Sequence, residues 1–241
     1  MTSPDQPRNA EAIDWKKILR GPLILIGVLW AVHLFQVLSG VELGMFGVYP
    51  RDISGLRGIL LSPLIHADFR HLLSNTVPLF LLTVTLLAFY PRAGWRAFWL
   101  IYLLTGMAVW LFARPVYHIG ASGVVYGLVA FIFWTGVFRR SLKAIVLTLI
   151  VTLLYSGYMA GILPNQEGIS WESHLLGGLV GIFVAWWFRD MVEEDEDESG
   201  DTPEAEDAAS HPQYFLPRDT FDRPKMRTRR GHSGGWFSNH S

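Results

Sequence analysis

The stretch GASGVVYGLVAFIFWTGVF, residues 120–138, runs for nineteen residues without a charged side chain. A helix of roughly 20 apolar residues is long enough to cross the hydrocarbon core of a bilayer, which is about 30 Å thick. We therefore expect a membrane-spanning helix here. Its first eight residues contain three glycines and a serine, and small or polar residues in such a helix mark a packing face or a functional site.

Five more apolar stretches accompany this one, and 51% of the whole chain is hydrophobic. The first is expected to carry Pro22 in its first helical turn. An all-α integral membrane protein with a bundle of six transmembrane helices is the predicted fold class. The six spans are predicted at residues 22–38, 72–90, 95–113, 120–138, 142–160 and 171–188.

The Lys and Arg residues that flank the spans predict the orientation, because positively charged segments remain on the cytoplasmic side. Nine of them fall on the side of the N-terminus and four on the opposite side. We therefore expect a multi-pass protein of the plasma membrane with both termini in the cytoplasm. The chain has no cysteine, which excludes disulfides and cysteine-bound metals.

Composition divides the chain into three parts. Residues 1–20 are predicted to be a cytoplasmic segment, and residues 21–190 the six-helix domain. Residues 191–241 contain an acidic run and a basic cluster, cannot bury a core, and are predicted to be a disordered cytoplasmic tail. The loop 39–70 is long and partly apolar, which predicts a structured element at the membrane surface.

Four polar residues are expected to meet at one depth in the membrane. His71 and Asn75 are four residues apart, on one face of the second span. Ser122 opens the fourth span and His174 opens the sixth. Since the even-numbered spans all begin on the outer side, these first turns lie at the same level.

Glycine spacing predicts that the fourth and sixth spans approach closely. Gly123 and Gly127 are four residues apart, as are Gly177 and Gly181. Small residues at this spacing let helix backbones come together inside a membrane. Ser122 and His174 can then lie within hydrogen-bond distance.

The chemistry that these residue types support is acyl transfer by a serine–histidine dyad. Ser122 is the predicted nucleophile, and His174 the predicted general base and later general acid. His71 and Asn75 are candidate donors to the oxyanion, together with the backbone N–H of Ser122 at the positive end of its helix. Glu172 is too near His174 along the helix to orient its imidazole.

The sequence resembles the rhomboid family of intramembrane serine proteases over about residues 20–190. Three motifs and one further residue carry the resemblance, in the family's order. They are His66, His71 and Asn75 in a His-x4-His-x3-Asn pattern; Gly120-Ala121-Ser122-Gly123 as the Gly-x-Ser-Gly nucleophile motif, followed by Tyr126; and His174 with Gly177, Gly178 and Gly181.

The resemblance implies oxyanion roles for His71 and Asn75, a loop-supporting role for His66, and packing of Tyr126 on the catalytic imidazole. It implies transmembrane protein substrates that are helix-destabilised near the membrane face, with a small residue before the scissile bond. Substrates would enter past the fifth span and the loop 161–171. The Trp-Arg pair typical of the family's first loop is missing, and Leu87 stands where many members carry a glutamate.

Other interpretations remain open. A lone Gly-x-Ser-Gly motif in a glycine-rich helix usually indicates packing. A catalytically silent rhomboid-like scaffold would bind membrane clients, although such relatives usually lose the serine or the histidine. A transporter would need a polar path through the inner halves of the spans, which are largely apolar.

A metal site is a further alternative, and its ligands would be His66, His71, His118 and His174. It would leave Ser122 and Asn75 without a role. We expect no cofactor, no metal and no nucleic-acid partner. Membrane lipid and transmembrane substrates are the expected partners, and the oligomeric state stays open.

Overall fold

The computed structural model describes residues 14–139, 142–155, 170–189 and 191, and throughout these ranges the regular structure is helical. Six long helices and one short helix follow each other along the chain. They are α1 (Trp15–Ser39), α2 (Gly58–Leu61), α3 (Phe69–Phe89), α4 (Gly94–Phe112), α5 (Ser122–Arg139), α6 (Leu142–Tyr155) and α7 (Trp171–Trp187).

The predicted all-α membrane bundle is confirmed. Among the described helices, α1, α3, α4 and α5 are long and apolar enough to cross a membrane. The apolar helices α6 and α7 are shorter, with 14 and 17 residues. The predicted end of the fifth span, most of the loop 161–171, and nearly all of the tail 191–241 lie outside the described residues, as do residues 1–13.

Two helices begin earlier than their apolar stretches predict, because an aspartate caps each of them. The Asp14 carboxylate accepts hydrogen bonds from the backbone N–H groups of residues 16 and 17, at 3.1 and 3.3 Å. The helix therefore starts at Trp15, and the placement of Pro22 in its first turn was wrong. Asp68 likewise accepts from the His71 N–H at 2.8 Å and starts α3. Such caps satisfy N–H groups that have no partner within the helix.

Helix α5 lies at the centre of the bundle and packs against α3, α4, α6 and α7. Large apolar side chains fill the interior around it, among them Leu79, Leu82, Phe98, Ile101, Leu128 and Phe131. Exposed apolar residues recur every fourth position on α3, at Leu73, Val77 and Leu81. A stripe of this kind suits contact with lipid, which is as apolar as the side chains themselves.

The connection between α1 and α3 is structured, with 3-10 helices at Leu43–Phe46, Ile53–Arg57 and Ser62–Leu64 on either side of α2. Hydrogen bonds fasten it to α4. The Tyr102 hydroxyl donates to the Leu60 carbonyl at 2.5 Å, and the Trp110 indole N–H donates to the Asp52 carbonyl at 2.8 Å. The connection therefore holds a fixed place beside the first residues of α5.

Helices α5 and α7 touch backbone to backbone. A Cβ atom added at Gly177 would overlap the carbonyl oxygen of Gly123, and one added at Gly181 would overlap that of Gly127. Contact this close is open only to glycine. The seam formed by these four glycines is the helix approach that the four-residue spacing predicts.

We expect Gly181→Ala to destabilise the protein by about 1–3 kcal/mol, the usual range for overpacking, because its methyl group must push α5 and α7 apart. Gly178→Ala is the matched control, since no atom lies within 4 Å of a Cβ at that position. In a helix, that control is expected to leave stability unchanged or to raise it by up to about 1 kcal/mol. Unfolding free energies in mixed micelles measure both. Equal unfolding free energies for the two variants would contradict the backbone contact between α5 and α7 at this seam.

Candidate active site

Ser122 is the first residue of α5, and the loop before it is held in an unusual backbone conformation. Gly120 has a backbone φ of 100°, a value that residues other than glycine rarely adopt. Its N–H donates to the Ser62 carbonyl at 2.8 Å. The predicted fourth span began at Gly120, but the structure places this glycine in the loop, because its positive φ is incompatible with a right-handed helix.

His174 lies in the first turn of α7, where Ser170 caps the helix by accepting from the Ser173 N–H at 3.3 Å. The seam brings its imidazole to Ser122, and His174 Nε2 lies 2.9 Å from Ser122 Oγ. With the imidazole proton on Nδ1, Nε2 accepts the hydroxyl proton of the serine. This is the contact through which a histidine activates a serine.

The imidazole of His174 is buried and stacks face to face on Tyr126, with ring centroids 4.2 Å apart and planes 8° from parallel. Tyr126 is four residues after Ser122, so both project from the same face of α5. The tyrosine therefore restricts the orientation of the ring whose edge faces the serine.

His71 and Asn75 lie one turn apart on α3. The His71 ring lies against Gly120, where an added Cβ would be 2.7 Å from its Nε2. Asn75 is buried, and its amide nitrogen donates to the His71 carbonyl at 2.9 Å. An amide NH₂ group carries two protons, so one proton remains for another acceptor. The structure thus places His71 beside the loop that leads to Ser122, and Asn75 next along the same helix face.

His66 lies behind His71, with ring centroids 5.0 Å apart and an edge-on arrangement. It is fully buried. Burial, reinforced by the neighbouring His71, lowers the pKa of His66 to about 4. His66 is therefore neutral at physiological pH and supports the His71 ring by packing.

Of the four histidines of the alternative metal site, His66 and His71 pack on each other, but the four do not form one cluster. His118 instead makes two hydrogen bonds of its own, to Ser170 Oγ at 2.6 Å and to the Arg114 carbonyl at 3.0 Å. Across the described ranges, no group of three or more His, Asp or Glu side chains is placed to hold a metal ion.

Comparison with protein-family models matches the Rhomboid domain to residues 54–191. The chain belongs to the rhomboid family. A protein of Mycobacterium tuberculosis, described as uncharacterized, is 36% identical over 174 residues, which cover 68% of this chain and 72% of the relative. An uncharacterized protein of Mycobacterium leprae is 31% identical over 174 residues, with 68% of each chain covered.

This rhomboid accommodates both departures from the family's pattern by packing. Leu87 is buried in α3, next to Gly94 at the start of α4. In the first loop, the Arg57 guanidinium lies 4.6 Å from the centre of the Phe46 ring and donates to the Met45 carbonyl at 3.0 Å. An arginine and an aromatic ring therefore interact in this loop without a Trp-Arg sequence.

Sequence reasoning missed one ion pair at the site of this rhomboid. Arg114 Nε lies 2.9 Å from Glu172 Oε1, so the carboxylate of Glu172 is paired with an arginine from the connection between α4 and α5. The two residues are 58 positions apart in the chain, and no spacing rule connects them. An acidic residue in the first turn of a helix was the one readable signal, since a negative charge is favourable there.

Proposed function

We propose that this rhomboid is an intramembrane serine protease that hydrolyses peptide bonds of transmembrane proteins through Ser122 and His174. The single observation that carries the proposal is the 2.9 Å contact between Ser122 Oγ and His174 Nε2 at the ends of two packed membrane helices. A hydroxyl and an imidazole inside a membrane domain are expensive to bury without a function. Membership of the rhomboid family supports the same conclusion.

The first half of the reaction forms an acyl-enzyme. Ser122 Oγ attacks the scissile carbonyl carbon while its proton passes to His174 Nε2. The carbonyl oxygen becomes an oxyanion, and its proposed donors are the second amide proton of Asn75, the His71 ring and the Ser122 backbone N–H. When the intermediate collapses, the C–N bond breaks and His174 gives its proton to the leaving amine.

The second half repeats these steps with water as nucleophile. His174 Nε2 takes a proton from the water that attacks the acyl carbon, and returns it to Ser122 Oγ as the ester bond breaks. Tyr126 keeps the imidazole edge toward the serine in both halves. The proposed machinery is the dyad of Ser122 and His174, and Glu172 is paired with Arg114.

Replacement of either dyad residue is expected to abolish proteolysis. Ser122→Ala removes the nucleophile and His174→Ala removes the base, so each should lower kcat/KM by about 10³-fold or more. Ser39→Ala, which replaces a serine at the exposed end of α1, is the control, and this variant should cleave the substrate normally. The assay is cleavage of a model transmembrane substrate in liposomes, with products identified by mass. Undiminished cutting by both dyad variants would refute the assignment.

The oxyanion role of Asn75 predicts a loss of turnover with little change in binding. Asn75→Ala should lower kcat by about 10²–10³-fold, the usual effect of removing one such donor, at nearly constant KM. It is a cleaner test than a change at His71, whose ring also packs on Gly120. Ser74→Ala, at the exposed neighbouring position, is the matched control. A kcat that falls less than threefold for Asn75→Ala would exclude the role.

We propose that the site opens to the outer side of a plasma membrane, with both termini in the cytoplasm. The positive charges between the spans support this orientation, and water for hydrolysis then enters from outside. Substrates would enter past α6.

The proposed orientation can be tested by labelling in intact cells. A membrane-impermeant maleimide should label Ser39→Cys, at the end of α1 that lies on the side of the site. It should label Pro91→Cys, in the turn on the opposite side, only after lysis. The reverse pattern would invert the orientation.

A further inference from the structure

Two side-chain contacts join the loop that precedes the nucleophile to the start of the helix that carries the base. Arg114 Nε lies 2.9 Å from Glu172 Oε1, and His118 Nδ1 lies 2.6 Å from Ser170 Oγ. Arg114 and His118 belong to the connection between α4 and α5. Ser170 and Glu172 belong to the cap and first turn of α7.

The contact between His118 and Ser170 runs parallel to the dyad. His118 and Ser170 are 52 residues apart, the same separation as Ser122 and His174. His118 lies four residues before Ser122, and Ser170 lies four residues before His174. A shift of the loop along α7 would thus break this contact and the dyad together.

The hydrogen bonds of His118 form a directed chain. Its Nε2–H donates to the Arg114 carbonyl at 3.0 Å, so Nδ1 is left to accept the Ser170 hydroxyl proton. Ser170 Oγ in turn accepts from the Ser173 N–H and lies 2.7 Å from Ser173 Oγ. Burial lowers the pKa of His118, which favours the neutral ring that this pattern requires.

In this ion pair the glutamate is buried, whereas the arginine is partly exposed to solvent. Glu172 is 7% exposed, whereas the Arg114 side chain is 53% exposed. A buried carboxylate without its partner is strongly unfavourable, so Glu172 holds Arg114, and with it the loop, against α7. The backbone of His118 itself pairs with that of Val48: the Val48 N–H donates to the His118 carbonyl at 3.0 Å, and the His118 N–H donates to the Val48 carbonyl at 2.9 Å.

We propose that Arg114 and Glu172 are positioning residues, whose ion pair clamps the nucleophile loop to α7 and sets the distance between Ser122 and His174. Its consequence for turnover rests on the proposed proteolytic function; its consequence for the Ser122–His174 distance does not. Proton transfer from serine to histidine needs hydrogen-bond contact, and a misplacement of about 1 Å can slow a reaction 10²-fold. Neither residue touches the reacting atoms.

The absence of cysteine from the chain allows a test that needs no proteolysis. Ser122→Cys places a single thiol beside His174, and pairing with imidazole lowers a thiol pKa below its ordinary value of about 8.5. The pH midpoint of iodoacetamide alkylation measures that pKa. We expect a lowered midpoint in Ser122→Cys and a rise of one unit or more when Glu172→Gln is added.

The direction of this change separates positioning from direct electrostatics. Loss of the negative charge of Glu172 would by itself favour the thiolate and lower the midpoint. A wider gap between the thiol and His174 acts in the opposite direction and raises the midpoint. An unchanged or lower midpoint in Ser122→Cys with Glu172→Gln would therefore overturn the clamp. A midpoint near the ordinary thiol value of about 8.5 in Ser122→Cys alone would also refute the contact between Ser122 and His174.

Two further variants control for damage to the fold. Arg57→Gln removes an arginine of the first loop with other partners, and should leave the midpoint of Ser122→Cys unchanged. In the Ser122→Cys protein, the exchange Arg114→Glu with Glu172→Arg restores an ion pair with the two charges reversed. The alkylation midpoint should then return toward that of Ser122→Cys alone. A midpoint that stays raised in the exchanged protein would overturn the ion pair as the source of positioning.

Cleavage kinetics then connect the clamp to turnover. With Ser122 intact, Glu172→Gln should lower kcat at least tenfold with KM within threefold, and the exchange should recover most of it. A kcat within twofold of wild type would overturn the catalytic consequence of the clamp. If the wild-type protein does not cleave while the thiol midpoints shift as expected, the proteolytic function fails and the clamp stands.

Discussion

The backbone contact between α5 and α7 is the constraint on which the site depends. Inside a membrane, apolar surface gains little by leaving lipid, so helices associate through close packing and hydrogen bonds. Gly123 and Gly127 meet Gly177 and Gly181, and a side chain at Gly177 or Gly181 would overlap a carbonyl oxygen of α5. This approach brings the first turns of both helices together, and the 2.9 Å contact of Ser122 with His174 lies at its end.

A second constraint acts on the loop that enters α5. The positive φ of Gly120, the hydrogen bond from its N–H to Ser62, and the His71 ring against it all fix the backbone two residues before the nucleophile. The connection between α1 and α3 supplies Ser62 and is itself fastened to α4. A segment that looks like a long loop in sequence is therefore part of the rigid frame around the serine.

The all-helical bundle was predicted from the length of the apolar stretches, and the glycine seam from a four-residue spacing. The alternating direction of the spans predicted that the first turns carrying Ser122 and His174 lie at one level, and the structure places the two side chains 2.9 Å apart. Sequence patterns misplaced helix starts where Asp14 and Asp68 extend a helix beyond its apolar stretch. They could not show the ion pair between Arg114 and Glu172, since a pair 58 positions apart in two different segments leaves no periodic signal. The conformation of Gly120 is equally invisible, as glycine adopts many others.

We propose that Ser122 is a nucleophile activated by His174. Reaction of the purified protein with a fluorophosphonate, followed by peptide mapping in a mass spectrometer, tests it without any choice of substrate. We expect one phosphonyl adduct, on Ser122, and its loss in His174→Ala. An adduct on another serine, no adduct on the wild-type protein, or undiminished labelling of Ser122 in His174→Ala would contradict it.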